Sequence, residues 1–205
     1  MTFSIDQFRL DNKVAIVTGA GGRGNSIGRA YAMGLAKAGA AVTVADMNEA
    51  GAKSVAAEIQ AAGGKAIAVA VDITQPEQAK RMAEATSKAF GGIDILVNNA
   101  ALMVEVAAAK ITEVSFDDWN RMISVNLTGA LVCTQAVLPG MRARGSGKIV
   151  NQLSGGAFPA VSVYGISKLA LYGLTTTLAK QLGPEKINVN AIAPGNVTRD
   201  RKSVV

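Results

Sequence analysis

A tyrosine and a lysine, Tyr164 and Lys168, stand four residues apart near the start of a long apolar segment, 162–182, that predicts a helix. Residues at this spacing share one face of a helix, so the ammonium group can lie near the phenol. A nearby positive charge favours phenolate and lowers the pKa of tyrosine from about 10, which makes Tyr164 a candidate acid–base group. Ser154 ends the predicted strand 148–153, and its hydroxyl can point into the same cleft. By itself, Tyr-x-x-x-Lys also fits a helix with no catalytic role.

The sequence contains no histidine. This excludes Ser-His-Asp and Cys-His hydrolase schemes and argues against a zinc site, so acid–base chemistry must use tyrosine, lysine or a carboxylate. The one cysteine, Cys133, lies in an apolar segment and is interpreted as a packed core thiol. A single cysteine allows no intramolecular disulfide and fits a reducing compartment, so we expect a cytoplasmic protein without a metal site.

A glycine-rich turn, 19–28, separates an apolar β-branched run, 13–18, from a segment with helical spacing of apolar residues. Glycines let the backbone approach a ligand closely, and the free N–H groups of the following helix attract a pyrophosphate. The next strand, 41–45, leads to Asp46, whose carboxylate can accept hydrogen bonds from a ribose diol. Such a turn alone also fits a loop that only needs flexibility. The strand, the helix and Asp46 in register favour a dinucleotide site.

Strands and helices alternate along the rest of the chain. Further strands are predicted at 65–71, 93–97, 148–153 and 187–193. The alternation predicts a single α/β domain over residues 1–205, with a Rossmann-type, doubly wound parallel sheet of about six strands in three αβα layers. We expect the strand order 3-2-1-4-5-6. Ligands of such sheets bind beyond the carboxyl ends of the strands, where the glycine turn, Asp46, Asp72 and Asn98 would lie.

Two predicted helices, 126–142 and 162–182, are apolar over most of their circumference, and a separate helix is predicted to begin at Ser115. A helix that faces water on one side does not tolerate this pattern. The apolar faces are buried either beneath loops or, as we prefer, against the same helices of another subunit in a homodimer or homotetramer.

Charge and hydropathy exclude two classes of partner. The net charge of +6 is scattered along the chain, and aromatic residues make up only 4% of it. We interpret this charge as solvated helix faces and expect no nucleic-acid partner. No segment reaches the length of about 18 uncharged apolar residues that a membrane span needs, so neither a span nor a signal peptide is expected.

In order and rough spacing, these motifs resemble those of the short-chain dehydrogenase/reductase family over nearly the whole chain. The matching residues are Thr18-Gly19, Ile27-Gly28, Asp46, Asp72, Asn98-Asn99-Ala100, Asn126, Ser154, Tyr164, Lys168 and Pro194-Gly195. The resemblance implies that Tyr164 gives or takes the proton and that Ser154 orients and polarises the substrate oxygen. It further implies that Lys168 binds the nicotinamide ribose and lowers the pKa of Tyr164, and that Asn126 holds a water on the proton path. The implied reaction is hydride transfer between nicotinamide and the carbinol carbon of a small alcohol or ketone.

The resemblance also implies a cofactor groove. Its residues are Gly19, Arg23, Ser26, Ile27, Asp46, Asp72, Ile73, Asn98, Ala100, Tyr164, Lys168, Pro194, Gly195 and Val197. Asp72 would face the adenine. A carboxylate at Asp46 accepts from the 2′-hydroxyl of NAD and repels the 2′-phosphate of NADP, whereas Arg23 can pair with such a phosphate. We therefore expect NAD, with NADP as the alternative.

Some positions depart from the family pattern. Ser26 stands near the place of the middle glycine, as in divergent enoyl reductases, but those enzymes space their tyrosine and lysine farther apart. Alcohol–ketone chemistry is therefore preferred over reduction of a conjugated double bond. The chain ends at Val205, where the family's substrate-covering segment and last strand normally follow. We expect a truncated form or one that another subunit completes, and a dinucleotide-binding protein without catalysis is the alternative to an enzyme.

The residues expected to line a substrate pocket are mostly apolar and favour a hydrophobic or alicyclic substrate. They are Leu102, Met103, Ala157, Phe158, Val161 and Asn196.

Overall fold

The computed structural model describes residues 4–22, 26–103, 110–158 and 160–195. Its strands are β1 (Val14–Thr18), β2 (Ala41–Asp46), β3 (Lys65–Ala70), β4 (Ile95–Asn98), β5 (Gly147–Gln152) and β6 (Ile187–Ile192). Its α-helices are α1 (Ile27–Lys37), α2 (Glu49–Ala61), α3 (Pro76–Phe90), α4 (Phe116–Ile123), α5 (Gly129–Arg144) and α6 (Val163–Leu182).

The strands form one parallel sheet in the order β3-β2-β1-β4-β5-β6, which confirms the predicted fold class and strand order. Successive residues of a strand point to opposite faces, so Ala15 and Val17 pack with α1 and α2 while Ile16 packs with α3, α5 and α6. Helices on both faces bury the sheet, and the carboxyl ends of the strands share one edge.

Serine caps fix the starts of the two helices that frame this edge. At α1, the Ser26 hydroxyl accepts a hydrogen bond from the Arg29 N–H. At α6, the Ser162 hydroxyl accepts one from the Gly165 N–H. Each cap satisfies a backbone donor that a helix start leaves unpaired, so both helices begin at a defined place beside the sheet.

The break predicted between a helix from Ser115 and one over 126–142 is wrong. Ser115 caps α4, but α4 runs on into α5 through a π-helical turn, Ser124–Thr128. The wider π turn shifts the phase of the apolar stripe, and in the sequence this shift looks like the start of a new helix. Such turns occur often at functional sites, and this one holds Asn126.

Among the described residues, the continuous helix Phe116–Arg144 is long and apolar enough to cross a membrane, judged by length and hydropathy alone. Half of its most apolar window is buried inside the fold. Residues of α5 such as Val137 and Met141 are fully buried in the cluster between the sheet, α3 and α6. The core of the chain itself therefore accounts for much of the apolarity that was expected to reflect a second subunit.

Candidate active site

Two adjoining cavities lie along the carboxyl edge of the sheet. One, of about 410 Å³, is lined by Asp46 and is called the Asp46 cavity; the other, of about 630 Å³, is the Tyr164 cavity. Gly19, Asn99 and Ala101 line both, so the two form one cleft.

The cleft collects most of the residues predicted from the sequence. The Asp46 cavity is lined by Gly19, Asp46, Asp72, Ile73 and Ala100. The Tyr164 cavity is lined by Gly19, Ser26, Ile27, Ser154, Tyr164, Lys168, Pro194 and Gly195. Arg23, Val197 and the pocket residue Asn196 lie outside the described residues.

Lys168 is buried at the back of the Tyr164 cavity, with 1% of its surface exposed. Its Nζ donates a hydrogen bond of 2.7 Å to the backbone carbonyl of Gln152, the last residue of β5, and lies 5.7 Å from the centroid of the Tyr164 ring. Burial lowers the pKa of Lys168 to about 8, because the ammonium loses its hydration. The predicted approach of lysine and tyrosine is confirmed by this geometry.

The half-buried phenol of Tyr164 has a raised pKa, so the predicted lowering is wrong for this state of the chain. Burial disfavours the phenolate, and the hydrogen bond with the Ser154 side chain opposes this by a smaller amount. Lys168, whose Nζ lies 5.7 Å from the centroid of the ring, does not contribute to this shift. Tyr164 is therefore held in the protonated form.

Ser154 is the second residue after β5 and lines the cavity beside Tyr164. Its Oγ accepts a hydrogen bond of 3.1 Å from the Gly156 N–H and so starts a short 3-10 turn. The N–H of Gly155, between these two residues, donates to the carbonyl of Pro194 at 2.8 Å. This bond ties the loop after β5 to the segment after β6 and fixes both beside the phenol.

Asn126 is buried and is not among the residues that line either cavity, and its expected role of holding a water on the proton path stays a prediction. Its Oδ1 accepts from the Leu102 N–H at 2.8 Å, and its Nδ2 donates to the Leu102 carbonyl and to Ser167 Oγ, both at 3.0 Å. Ser167 in turn donates to the carbonyl of Tyr164 at 2.7 Å. These bonds hold the segment after β4 against the first turn of α6.

Adjacent asparagines after β4 have opposite orientations. The Asn98 side chain is buried, donates to Asn151 Oδ1 at 2.9 Å and is not among the residues that line either cavity, so its place in the cofactor groove stays a prediction. The neighbouring Asn99 lines both cavities, and its Nδ2 donates to the carbonyls of Thr18 and Gly19 at 2.9 and 3.0 Å. Asn99, which neighbours Asn98 in the matched motif, is thus the asparagine whose position agrees with a place along the cleft.

Asp46 fixes the glycine turn as well as ending β2. Its two carboxylate oxygens accept hydrogen bonds of 2.8 Å, one from the Gly21 N–H and one from the Asn48 N–H. In the same cavity, Asp72 Oδ1 accepts from the N–H and the hydroxyl of Thr74. Each carboxylate oxygen has further lone pairs, so both side chains can accept from a ligand without a change of position.

Several further lining residues were not predicted, and three of them carry polar or long side chains. Met47 and Arg121 line the Asp46 cavity, and Gln152 lines the Tyr164 cavity. The sequence marks Gln152 by its polar side chain at the buried carboxyl end of a predicted strand. No feature of the sequence marks Arg121 as a lining residue, because only the path of α4 along the cleft brings it to the Asp46 cavity.

The cleft fits a dinucleotide in shape and in chemistry. It runs from a fixed carboxylate at the end of β2, past the glycine turn and the first turn of α1, to the buried ammonium of Lys168. A helix start attracts phosphates, and a carboxylate binds a ribose diol. Gly19 has a φ of 65° and supplies the left-handed backbone that the turn requires.

Known proteins share both the sequence and the fold. An uncharacterized oxidoreductase of Mycobacterium tuberculosis is 50% identical over 196 residues, which are 96% of this chain and 78% of that protein. The short chain dehydrogenase/reductase astE of Aspergillus oryzae is 40% identical over 205 residues, which are 98% of this chain and 77% of that protein.

Solved structures agree with these relatives. A short-chain type dehydrogenase/reductase from Mycobacterium marinum superimposes with a TM-score of 0.88 at 34% identity, covering 95% of this chain and 78% of that one. An NAD+-bound xylitol dehydrogenase superimposes with a TM-score of 0.86 at 35% identity, covering 92% and 72%. The sequence profile described as short chain dehydrogenase matches residues 13–203, which span the cleft from β1 to Gly195. With its sheet order, its cleft and its relatives in agreement, the chain belongs to the short chain dehydrogenase family of oxidoreductases.

Proposed function

We propose that this chain interconverts a secondary alcohol and a ketone by hydride transfer with NAD(H), and that Tyr164 is its acid–base group. One observation carries the proposal: a single cavity of about 630 Å³ is bounded by the first turn of α1 on one side and by Ser154, Tyr164 and Lys168 on the other. A reacting carbon placed there lies between a dinucleotide site and a proton donor. NAD(H), when bound, supplies or accepts the hydride.

The proton steps follow from the surroundings of the phenol. In ketone reduction, Tyr164 gives its hydroxyl proton to the carbonyl oxygen as that oxygen gains negative charge, while the Ser154 hydroxyl donates a hydrogen bond to the same oxygen. Burial raises the pKa of Tyr164 and keeps the donor protonated at neutral pH. In alcohol oxidation the phenolate takes the carbinol proton, and the Lys168 ammonium stabilises that phenolate by its charge.

Lys168 has the second role of holding the nicotinamide ribose. An ammonium has three donors, and the bond to the Gln152 carbonyl uses one of them. The remaining N–H groups are available to ribose hydroxyls in the cavity that Lys168 lines. Because the side chain is already ordered, little further conformational entropy is lost when the ribose binds.

The test is a titration followed by an assay. We expect calorimetric titration of the purified chain to show tight binding of NADH and weak binding of NADPH, and a panel of apolar secondary alcohols to reduce NAD+. Binding of NADH with no oxidation of any alcohol in the panel, and no reduction of the matching ketones, would instead establish the alternative of a dinucleotide-binding protein without catalysis.

Asp46 is the residue on which cofactor choice depends. We expect Asp46→Asn to improve NADPH binding by about tenfold or more, because the amide no longer repels a 2′-phosphate but still accepts one of the two backbone hydrogen bonds. Asp72→Asn is the matched control, since it removes the same charge from the same cavity. An equal change in the NADPH to NADH affinity ratio in both variants would contradict the role of Asp46.

We further propose that a second copy of the chain covers the exposed face of α6. Leu169 and Tyr172 on this helix are 39% and 45% exposed, and Phe158, which is 56% exposed, packs its ring edge-on against Tyr172 at 5.8 Å. These side chains make a continuous apolar patch, which a subunit of an oligomer buries. We expect sedimentation velocity to show an oligomer that Leu169→Glu converts to monomer, whereas Lys180→Glu in the last turn of α6 leaves it intact. A monomeric unmodified chain would exclude this interface.

A further inference from the structure

Gln152 joins three parts of the fold at the back of the Tyr164 cavity. It ends β5 and is 6% exposed. Its backbone carbonyl accepts the hydrogen bond from Lys168 Nζ at 2.7 Å, its Oε1 accepts from the Tyr31 hydroxyl at 2.5 Å, and its Nε2 donates to the Leu153 carbonyl at 3.1 Å. One residue thus contacts both α6, through Lys168, and α1, through Tyr31.

Tyr31 lies on α1 one helical turn after Ile27, which lines the Tyr164 cavity. Burial raises the pKa of Tyr31, so its hydroxyl stays protonated and donates to Gln152. A hydrogen-bonded path therefore runs from the helix that starts at the glycine turn, through Gln152, to the ammonium in the active site. None of the functions assigned above uses Tyr31 or the Gln152 side chain.

We infer that Tyr31 and the Gln152 side chain are positioning residues that keep Lys168 bound to the Gln152 backbone carbonyl, a role that rests on the function proposed above. A buried amide oxygen needs a donor, because leaving it unpaired costs free energy. Tyr31 supplies that donor from the α1 side of the sheet. Oε1 is therefore occupied and does not compete with the backbone carbonyl for the ammonium.

Removal of the Tyr31 hydroxyl changes what Oε1 can bind. Gln152 as a whole is only 6% exposed, and the Lys168 ammonium, which has two further donors, is bound to the backbone carbonyl of the same residue. Oε1 then turns to the ammonium, which gains a second acceptor and moves within the cavity. A hydrogen bond to the charged form favours that form, so the pKa of Lys168 rises from its value of about 8.

Titratable neighbours of Lys168 are few among the described residues. Tyr164 faces it from the same helix, with the ring centroid 5.7 Å from Nζ, and Tyr31 on α1 is hydrogen-bonded to the side chain of Gln152, whose backbone carbonyl binds Lys168. Burial is the cause of the lowered pKa of Lys168, with no contribution from a neighbouring charge. A rise in this pKa after a change at Tyr31 thus reports on the hydrogen bonds of Gln152.

The experiment compares Tyr31→Phe with Tyr172→Phe, which removes the same hydroxyl from an exposed tyrosine of α6. The cofactor-free protein is labelled with 13C at lysine Cε and titrated by NMR, and the Lys168 signal is identified by its loss in Lys168→Arg. We expect Tyr31→Phe to raise the pKa of Lys168 by about one unit and Tyr172→Phe to leave it unchanged. An unchanged pKa in folded Tyr31→Phe overturns the inference.

The same substitution in a Gln152→Met variant tests whether Oε1 of Gln152 causes the shift in the pKa of Lys168. Gln152→Met removes Oε1 but keeps the backbone carbonyl that accepts from Lys168, so adding Tyr31→Phe to it should cause no further shift. A shift of the same size in both backgrounds would show that Tyr31 acts by another route. Should Gln152→Met fail to fold, the comparison of the two tyrosine variants still decides. The titration needs neither cofactor nor turnover, so its failure is separate from a negative result with the alcohol panel.

Discussion

Replacing Tyr164 by phenylalanine is expected to reduce alcohol oxidation by about 10²- to 10⁴-fold, which is the usual contribution of a positioned acid–base group. The variant removes the one hydroxyl that we assign to proton transfer. It keeps the ring, which packs with Met122 and Val163, so the fold and the cleft stay intact. Steady-state rates with secondary alcohols and NAD+ measure the loss.

Binding of NADH distinguishes a chemical defect from a structural one. We expect calorimetric titration of Tyr164→Phe to give an NADH affinity close to that of the unmodified chain, because Lys168 keeps its hydrogen bond to the Gln152 carbonyl. Tyr172→Phe serves as the control for the loss of a tyrosine hydroxyl outside the cavity. Turnover retained in Tyr164→Phe would refute the assignment of the acid–base group.

The fold was predictable because few arrangements satisfy an alternation of strands and helices. Buried parallel strands such as β1 are continuous apolar runs, and right-handed crossovers between them leave a small set of strand orders. The exact path of Phe116–Arg144 was not predictable in the same way. A π turn changes the phase of the apolar pattern without a helix-breaking residue, so the pattern alone suggested two helices.

Positions of the site residues followed from local spacing, whereas their electrostatics did not. The four-residue spacing of Tyr164 and Lys168 places both on one helix face in any fold. The direction of a pKa shift depends on burial and on hydrogen bonds from distant parts of the chain. Here the carbonyl at the end of β5 binds the ammonium, and desolvation raises the pKa of the phenol.

The asparagines after β4 show a second limit. Asn98 and Asn99 are adjacent and identical in chemistry, so composition favours neither for the cleft. Successive side chains at a strand end point to opposite faces, and only the register of β4 against β1 and β5 decides which one reaches the glycine turn. That register is a tertiary property, so the sequence predicts that Asn98 and its neighbours lie near the cofactor groove but not which side chain lines it.

Replacing Gly28 by alanine is expected to destabilise the chain by about 3 kcal/mol and to weaken NADH binding by about 100-fold. A Cβ at this position would lie closer to the Gly19 carbonyl oxygen than real contacts allow, and only 2.5 Å from Asn99 Nδ2. Urea unfolding and calorimetric titration measure the two effects. The loss of stability and the loss of NADH affinity have one cause, because the atoms that clash with the new Cβ belong to or contact the glycine turn.

Relief of this clash is difficult because the obstructing atoms are fixed. Gly19 is in the left-handed region at a φ of 65°, and its carbonyl already accepts from Asn99 Nδ2 at 3.0 Å. Any shift of the carbonyl breaks that bond and moves the backbone that faces the cofactor. Gly34→Ala is the matched control, since a Cβ there meets nothing within 4 Å on the exposed side of the same helix. We expect this control to stabilise the chain by about 0.5–1 kcal/mol, because alanine is favoured over glycine in a helix. Equal effects on stability and NADH binding at both positions would show that the glycine turn does not depend on close packing at Gly28.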